Sequence, residues 1–235
     1  IKRFDTYAWV VTVADNGQIK RSPVRDFEVQ RNTRMMSAMS LSPGAGLLQA
    51  FVVYQKDQVV LLSKDGFATR YGIAQIPVQG LKARGVKGIN CGKGDRPAGA
   101  CVARADDRTL LIVTETGAMK RIKIEEVPEN NRPSRGNLIA KRVKSNPSRM
   151  KMILAANSGE TITIYDPDMH AVRASEISLK PVTSGFGQPL KLQERWYLLR
   201  NIEECTIVDP PLEAETAHGD VEKISLFAQP DGEDA

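Results

Sequence analysis

The sequence predicts an all-β chain folded as a propeller-like radial array of four four-stranded blades. Three observations carry that prediction. A unit of about fifty residues recurs four times, each copy opens on a β-rich run followed by a tight turn, and a proline and an arginine recur in step behind each turn. A β-sandwich with coincidental turns would not keep three anchors in one register.

The first copy runs Val10 to Val13, turns at Asp15-Asn16-Gly17 and continues as Gln18-Ile19-Lys20-Arg21. The second runs Val59 to Leu62, then Lys64-Asp65-Gly66-Phe67-Ala68-Thr69-Arg70; the third runs Leu110 to Val113, then Glu115-Thr116-Gly117-Ala118-Met119-Lys120-Arg121. The fourth runs Ile162 to Tyr165, then Pro167-Asp168-Met169-His170-Ala171-Val172-Arg173, and the closing arginines stand 49, 51 and 52 residues apart. Asn-Gly and Asp-Gly between such runs predict hairpins with type I′ turns, which need positive φ at both central residues. Behind the hairpins come Pro23, Pro77, Pro128 and Pro181. They read as loop or edge positions, because proline cannot donate to a central ladder. Arg34, Arg84 and Arg135 follow, with Phe186 at the equivalent place in the fourth copy. Two more β-rich runs, Leu138 to Val143 and Met150 to Ala155 in the third copy, complete four strands per repeat. The repeats fall at about 7–55, 56–105, 106–157 and 158–209, and residues 210–235, with Pro210-Pro211 and a run of acids, read as a flexible tail.

Composition narrows the function. Hydrophobic content of 41%, charged content of 26% and a mean hydropathy of −0.31 belong to a globular chain of 235 residues, and no apolar run approaches the roughly twenty residues of a membrane helix. The start, Ile1-Lys2-Arg3-Phe4-Asp5, lacks an initiating Met and a signal-peptide core, so the chain reads as part of something longer. Three unpaired cysteines, Cys91, Cys101 and Cys205, point to a reducing compartment rather than a disulfide framework or zinc site. Two histidines, His170 and His218, are too few for a metal cluster or a nucleophilic triad, so no metal and no cofactor is expected. The stretch from Gly85 to Gly94 is not a phosphate loop: Lys93 is followed by Gly94, where Ser or Thr opening a helix is needed.

The net charge of +5 is unevenly laid out: +3 over residues 1–55, +6 over 56–105, +5 over 106–157, then −3 over 158–209 and −6 over 210–235. A basic body with an acidic end suggests a polyanion-binding surface and a tail that competes for it. The hairpins contribute Lys20, Arg21, Arg70, Lys120 and Arg121; the loops contribute Arg31, Arg34, Lys82, Arg84, Lys87, Arg132 and Arg135, with Lys141 and Arg142 beyond them. Equivalent positions of a radial array lie on equivalent blade edges, so these charges are expected to trace an arc along one rim. Such contacts position a duplex without reading its sequence. Aromatic content is only 6% and is not interleaved with the basic clusters, which argues against stacking on single strands.

The hairpin copies, the stretch Gly80-Leu81-Lys82-Ala83-Arg84-Gly85-Val86-Lys87-Gly88-Ile89-Asn90, and Arg132-Pro133-Ser134-Arg135-Gly136 with Ser145-Asn146-Pro147-Ser148-Arg149 resemble the C-terminal β-pinwheel domains of topoisomerase IV A subunits (ParC), kin of the C-terminal domain found in the A subunits of gyrases. The resemblance extends to about Gln188. It implies a non-catalytic domain that binds duplex DNA along a basic rim and presents it to the breakage-reunion core. It further implies two partners, the ATPase (B) subunit of an ATP-dependent enzyme and the rest of the A subunit, with the bacterial cytoplasm as location. The gyrase-type Q-R-R-G-G-K-G box has only Gln30-Arg31-Asn32-Thr33-Arg34 as its nearest counterpart, without glycines, which favours topoisomerase IV over gyrase. Arg70-Tyr71 looks like the arginine and DNA-cleaving tyrosine of type IIA topoisomerases. Arg70 is already a hairpin arginine, and Tyr71 stands where Ser22, Ile122 and Ala174 stand in the other copies, so a strand residue is the better reading and no active site is expected. A propeller docking an acidic protein partner is the alternative from another class. With Phe186 and a net negative charge, the fourth copy reads as closure, leaving residues 10–145 as the DNA arc.

Overall fold

The computed structural model describes residues 7–28, 35–141, 148–165, 171–187 and 197–201. There the chain is β-structure with single-turn 3-10 helices, and no helix is long and apolar enough to cross a membrane. Four sheets are present among the described residues. The first two hairpins are β1 (Trp9–Ala14) with β2 (Gln18–Pro23) and, after β3 (Leu47–Val53), β4 (Gln58–Ser63) with β5 (Phe67–Gly72). Then come β6 (Val86–Lys87), β7 (Pro97–Ala103), the hairpin β8 (Thr109–Thr114) and β9 (Met119–Lys123), β10 (Asn137–Leu138) and β11 (Met150–Ala155). The last sheet holds β12 (Thr161–Tyr165), β13 (Ala171–Arg173) and β14 (Tyr197–Asn201).

Strand order shows how the repeats interlock: β3-β1-β2-β6, then β10-β5-β4-β7, then β11-β8-β9, then β13-β12-β14. The edge strand β6 lies in the sequence behind the second hairpin yet pairs with β2 of the first blade, Gln18 opposite Lys87 and Ile19 opposite Val86. Likewise β10, behind the third hairpin, pairs with β5 of the second blade. Each of these two blades is therefore completed by a strand handed back from the next repeat. This corrects the expectation that one repeat supplies all four strands of one blade: Leu138 belongs to the second blade while Met150 to Ala155 belong to the third. Among the described residues the third and fourth sheets have three strands each.

The turns also differ from expectation. The Gly17 amide donates to the Ala14 carbonyl, Gly66 to Ser63 and Gly117 to Thr114, so each glycine closes the turn instead of sitting at its centre. Positive φ falls on those glycines, +86, +86 and +79°, which a turn followed by a left-handed residue requires and which side chains resist. At the opposite ends of the hairpins, acids cap the incoming backbone: Asp57 accepts from the Tyr54 amide, Asp107 from Arg104 and Glu160 from Asn157.

Successive blades pack face to face, and strand parity decides which blade each residue meets. Val11 and Val13 of the first blade meet Val59 and Leu61 of the second, whereas Val60 and Leu62 turn the other way onto Leu110 and Ile112 of the third. Leu111 and Val113 then face Ile162 of the fourth. Inner blades covered on both faces need continuous apolar strands, which is why β4 and β8 are apolar runs without polar alternation.

Candidate nucleic-acid interface

The hairpin cations point inward, which corrects the expectation that they line the rim. Lys20 and Lys120 are fully buried. The Lys20 ammonium donates to the carbonyls of Gly80 (2.6 Å) and Leu81 (2.9 Å), and that of Lys120 to Val182 (3.1 Å) and Ser184 (2.9 Å). Each clasps a loop some sixty residues downstream, a length of chain too great for sequence proximity to reveal. The arginines do the same one position on. Arg70 Nε donates to the Val127 carbonyl and Arg121 Nε to Ile177, both at 2.9 Å, and Arg121 is buried while Arg70 is half-buried. Their backbones bridge Glu129 and Leu179, as that of Arg21 bridges Val78. The half-buried Arg21 guanidinium lies 4.9 Å from the Trp9 ring centre, and its Nε and Nη1 find no acceptor among the described residues. Lys20, Arg70, Lys120 and Arg121 hold blades to loops because packing of the hairpin strands takes their side chains out of water, and buried donors need acceptors.

Burial has an electrostatic signature. Loss of water lowers the Lys120 ammonium from an ordinary 10.5 to about 8, with Glu126 opposing and Lys180 adding to the shift. The folded state therefore binds fewer protons than the unfolded chain between about pH 8 and 10.5, so the stability Lys120 contributes rises with pH across that window and is lost below it. Lys120→Met is expected to destabilise the domain by about 1–2 kcal/mol by unpairing two carbonyls. In chemical denaturation the gap to wild type should widen from pH 7.5 to 9.5; a constant gap would contradict the lowered pKa.

Of the cations expected on the rim, the exposed ones sit on or just beyond the crossing connections. Lys82, Arg84 and Lys87 ride on the segment that returns from the second hairpin to the first blade, and Arg135 on the segment that returns from the third to the second; all four are exposed, as is Lys141. The two segments touch: the Asn90 amide donates to the Ser134 carbonyl at 2.9 Å, and Asn90 Nδ2 to Pro133 at 3.3 Å. Arg132 is half-buried between them, donating through Nε to Gln75 and through Nη1 to the Lys87 carbonyl, both at 2.8 Å. It splices the loops together. Lys87 and Arg135 both lie close enough to Cys91 to oppose the rise of its thiol, which burial above all, with Asp95, pushes up to about 11. Arg31, Arg34 and Arg142, the Gln30–Arg34 stretch, Cys205, both histidines and the acidic tail lie outside the described residues.

Lys93 and Arg96 are exposed on the loop that precedes β7 and that carries Gly92, against which the Arg135 guanidinium lies. Sequence reasoning missed them, although their signal was the glycine-rich stretch that fails as a phosphate loop. Arg149 is exposed but ion-paired with Asp65, and Lys64 with Glu115, so these charges offset each other. Tyr71 is fully buried, its hydroxyl donating to the Gly88 carbonyl at 3.2 Å, and burial raises its pKa. It is a core strand residue.

The family model of the DNA gyrase C-terminal domain, beta-propeller, matches residues 8–53, 57–96 and 108–146, more than half of the chain. The A subunit of DNA topoisomerase 4 from Bacillus subtilis is 27% identical over 155 residues, 66% of this chain and 19% of the relative. Its counterpart from Streptococcus pneumoniae is 32% identical over 152 residues, 64% of this chain and 18% of the relative. The chain thus spans about a fifth of the length of these relatives. Among solved structures, the C-terminal domain of DNA topoisomerase IV superposes with a TM-score of 0.75 at 20% identity, covering 85% of this chain and 64% of that one.

Proposed function

This chain belongs to the family of DNA gyrase C-terminal β-propeller domains, and on that premise we propose that it is the DNA-binding C-terminal domain of a topoisomerase IV A subunit. In this reading it grips duplex DNA through phosphate contacts and presents it to a breakage-reunion core located elsewhere in a longer protein. The observation that carries it is the concentration of exposed cations on two touching connections, Lys82, Arg84 and Lys87 on one and Arg135 on the other, with Lys141 beyond. Their charged ends are exposed to a polyanion, whereas Lys20, Lys120 and Arg121 of the hairpins are held by carbonyls. The curated relatives favour topoisomerase IV over gyrase. The burial of Tyr71 supports a non-catalytic role for this part of the enzyme. The implied partners are the ATPase subunit of the enzyme and the remainder of the A subunit.

Phosphate contacts predict a strong dependence on salt. Five exposed cations neutralising five phosphates give a slope of log K against log[salt] of about −4 to −5, so affinity for a linear duplex should fall a few hundredfold, roughly, between about 50 and 200 mM salt. Fluorescence anisotropy titrations of the purified chain read this directly. Affinity that is flat over that range would exclude the proposal.

A further inference from the structure

Arg135 differs from the other exposed cations in being held without being used. Its guanidinium carbon lies 3.9 Å from the centre of the Phe67 ring, and a methyl group built on Gly92 would stand 3.0 Å from its Nη2 and 3.4 Å from its Cζ. It makes no hydrogen bond or ion pair among the described residues, in contrast to Arg132, which donates to two carbonyls, and to Arg149, which is paired with Asp65. The aromatic face and the bare glycine backbone fix the plane of the guanidinium and leave its N–H donors open.

The arrangement occurs at one junction only among those described. At the preceding junction the place of Phe67 is taken by Gln18, whose side-chain oxygen accepts from Asn16, so Arg84 has no ring beneath it. At the following junction the place of Phe67 is taken by Ala118 and that of Arg135 by Phe186, which lies over the buried Lys120 at 5.2 Å. Three structurally equivalent junctions thus carry one unsupported arginine, one supported arginine and none.

We propose that Phe67 and Gly92 are positioning residues for Arg135, holding its guanidinium as a pre-formed clamp for one phosphate of the duplex backbone at the junction of the second and third blades. This rests on the DNA-binding reading given above. A planar fork fixed in advance loses less freedom per hydrogen bond formed than a free side chain, so it binds a phosphate more tightly than the unsupported Arg84 does. Stacking also shields the stem without neutralising the charge.

A double-mutant cycle on the full chain, titrated with a mixed-sequence linear duplex of about 30 bp, tests the clamp. Gly92 has an ordinary negative φ, and the nearest atoms to an added methyl belong to the flexible end of Arg135, so Gly92→Ala displaces the guanidinium and leaves the backbone in place. Arg135→Ala should weaken binding about tenfold and make the salt slope shallower by about 0.9. Gly92→Ala and Phe67→Leu should each weaken binding about threefold with the slope unchanged, since the charge remains, and neither should weaken it further when Arg135 is already alanine. Thermal melts of each variant establish that the fold is kept, and Phe67→Leu serves should Gly92→Ala not fold. Additive losses, or Gly92→Ala and Phe67→Leu variants that bind like wild type, overturn the clamp while leaving DNA binding intact. Failure of the unaltered chain to bind duplex, or salt-insensitive binding, overturns both the clamp and the function on which it rests.

Discussion

Gly136→Ala is expected to cost the domain at least about 3 kcal/mol and lower its melting temperature by about 10 °C. Gly136 has a φ of +74°, and a methyl group there would lie 1.8 Å from the Ala68 carbonyl oxygen and 2.7 Å from the Thr69 amide nitrogen. Both are backbone atoms of β5, locked in the second blade's ladder with β4. They cannot withdraw. The alternative is for β10 to lift off β5, undoing the pairing of Asn137 with Ala68 and Leu138 with Phe67 and uncovering Ile139 and Ala140. A control separates the clash from the strain of the conformation. Gly94 has a similar φ of +77° and nothing within 4 Å of an added methyl, so Gly94→Ala should cost only about 1 kcal/mol. Calorimetric melts of both variants check the contrast, and equal losses would mean that the crossing strand is not held as described.

Replacing Lys82, Arg84, Lys87 and Arg135 together by glutamine is expected to lower duplex affinity by about 10²- to 10³-fold near 50 mM salt and to make the salt slope shallower by about 3 to 4. All four side chains are exposed, and Lys87 serves the fold through its backbone carbonyl, so the melting temperature should stay close to that of wild type. Lys20→Met and Lys120→Met should behave in the opposite way, lowering the melting temperature while leaving the slope near its wild-type value, because these ammonium groups are buried against carbonyls. The crossed outcome decides between a rim built from the crossing connections and one built from the hairpins. A quadruple variant that binds with unchanged slope would move the interface elsewhere on the molecule.

Much of this fold is legible in the chain itself. Turn chemistry is local, so Asp15 to Gly17 and its copies mark hairpins wherever they stand, although the precise turn depended on which residue takes positive φ. The apolar runs Val59 to Leu62 and Leu110 to Val113 announce strands covered on both faces. Packing also makes charge misleading: Lys20, Lys120 and Arg121 read as solvent-facing in polar-looking strands, yet all three side chains are buried against loop carbonyls. The single-turn helices at Ile73–Gln75 and Ile124–Glu126, and two-residue strands such as β6 and β10, are too short to carry a period.

By itself the sequence determined the class of structure, the number of hairpins and the basic character of the first three repeats, because each rests on residues close together in the chain. Only the tertiary structure decided which cations are free. A strand that crosses back to the preceding blade pairs residues far apart in sequence, Gln18 with Lys87 and Ala68 with Asn137, and it is this pairing that brings the loops of Arg84 and Arg135 side by side. The same crossing buries Lys20 beneath the first of those loops and lays Arg135 on Phe67. Long-range pairing leaves no periodic trace in a sequence, so the division of the arginines and lysines between scaffold and surface is a property of the folded molecule alone.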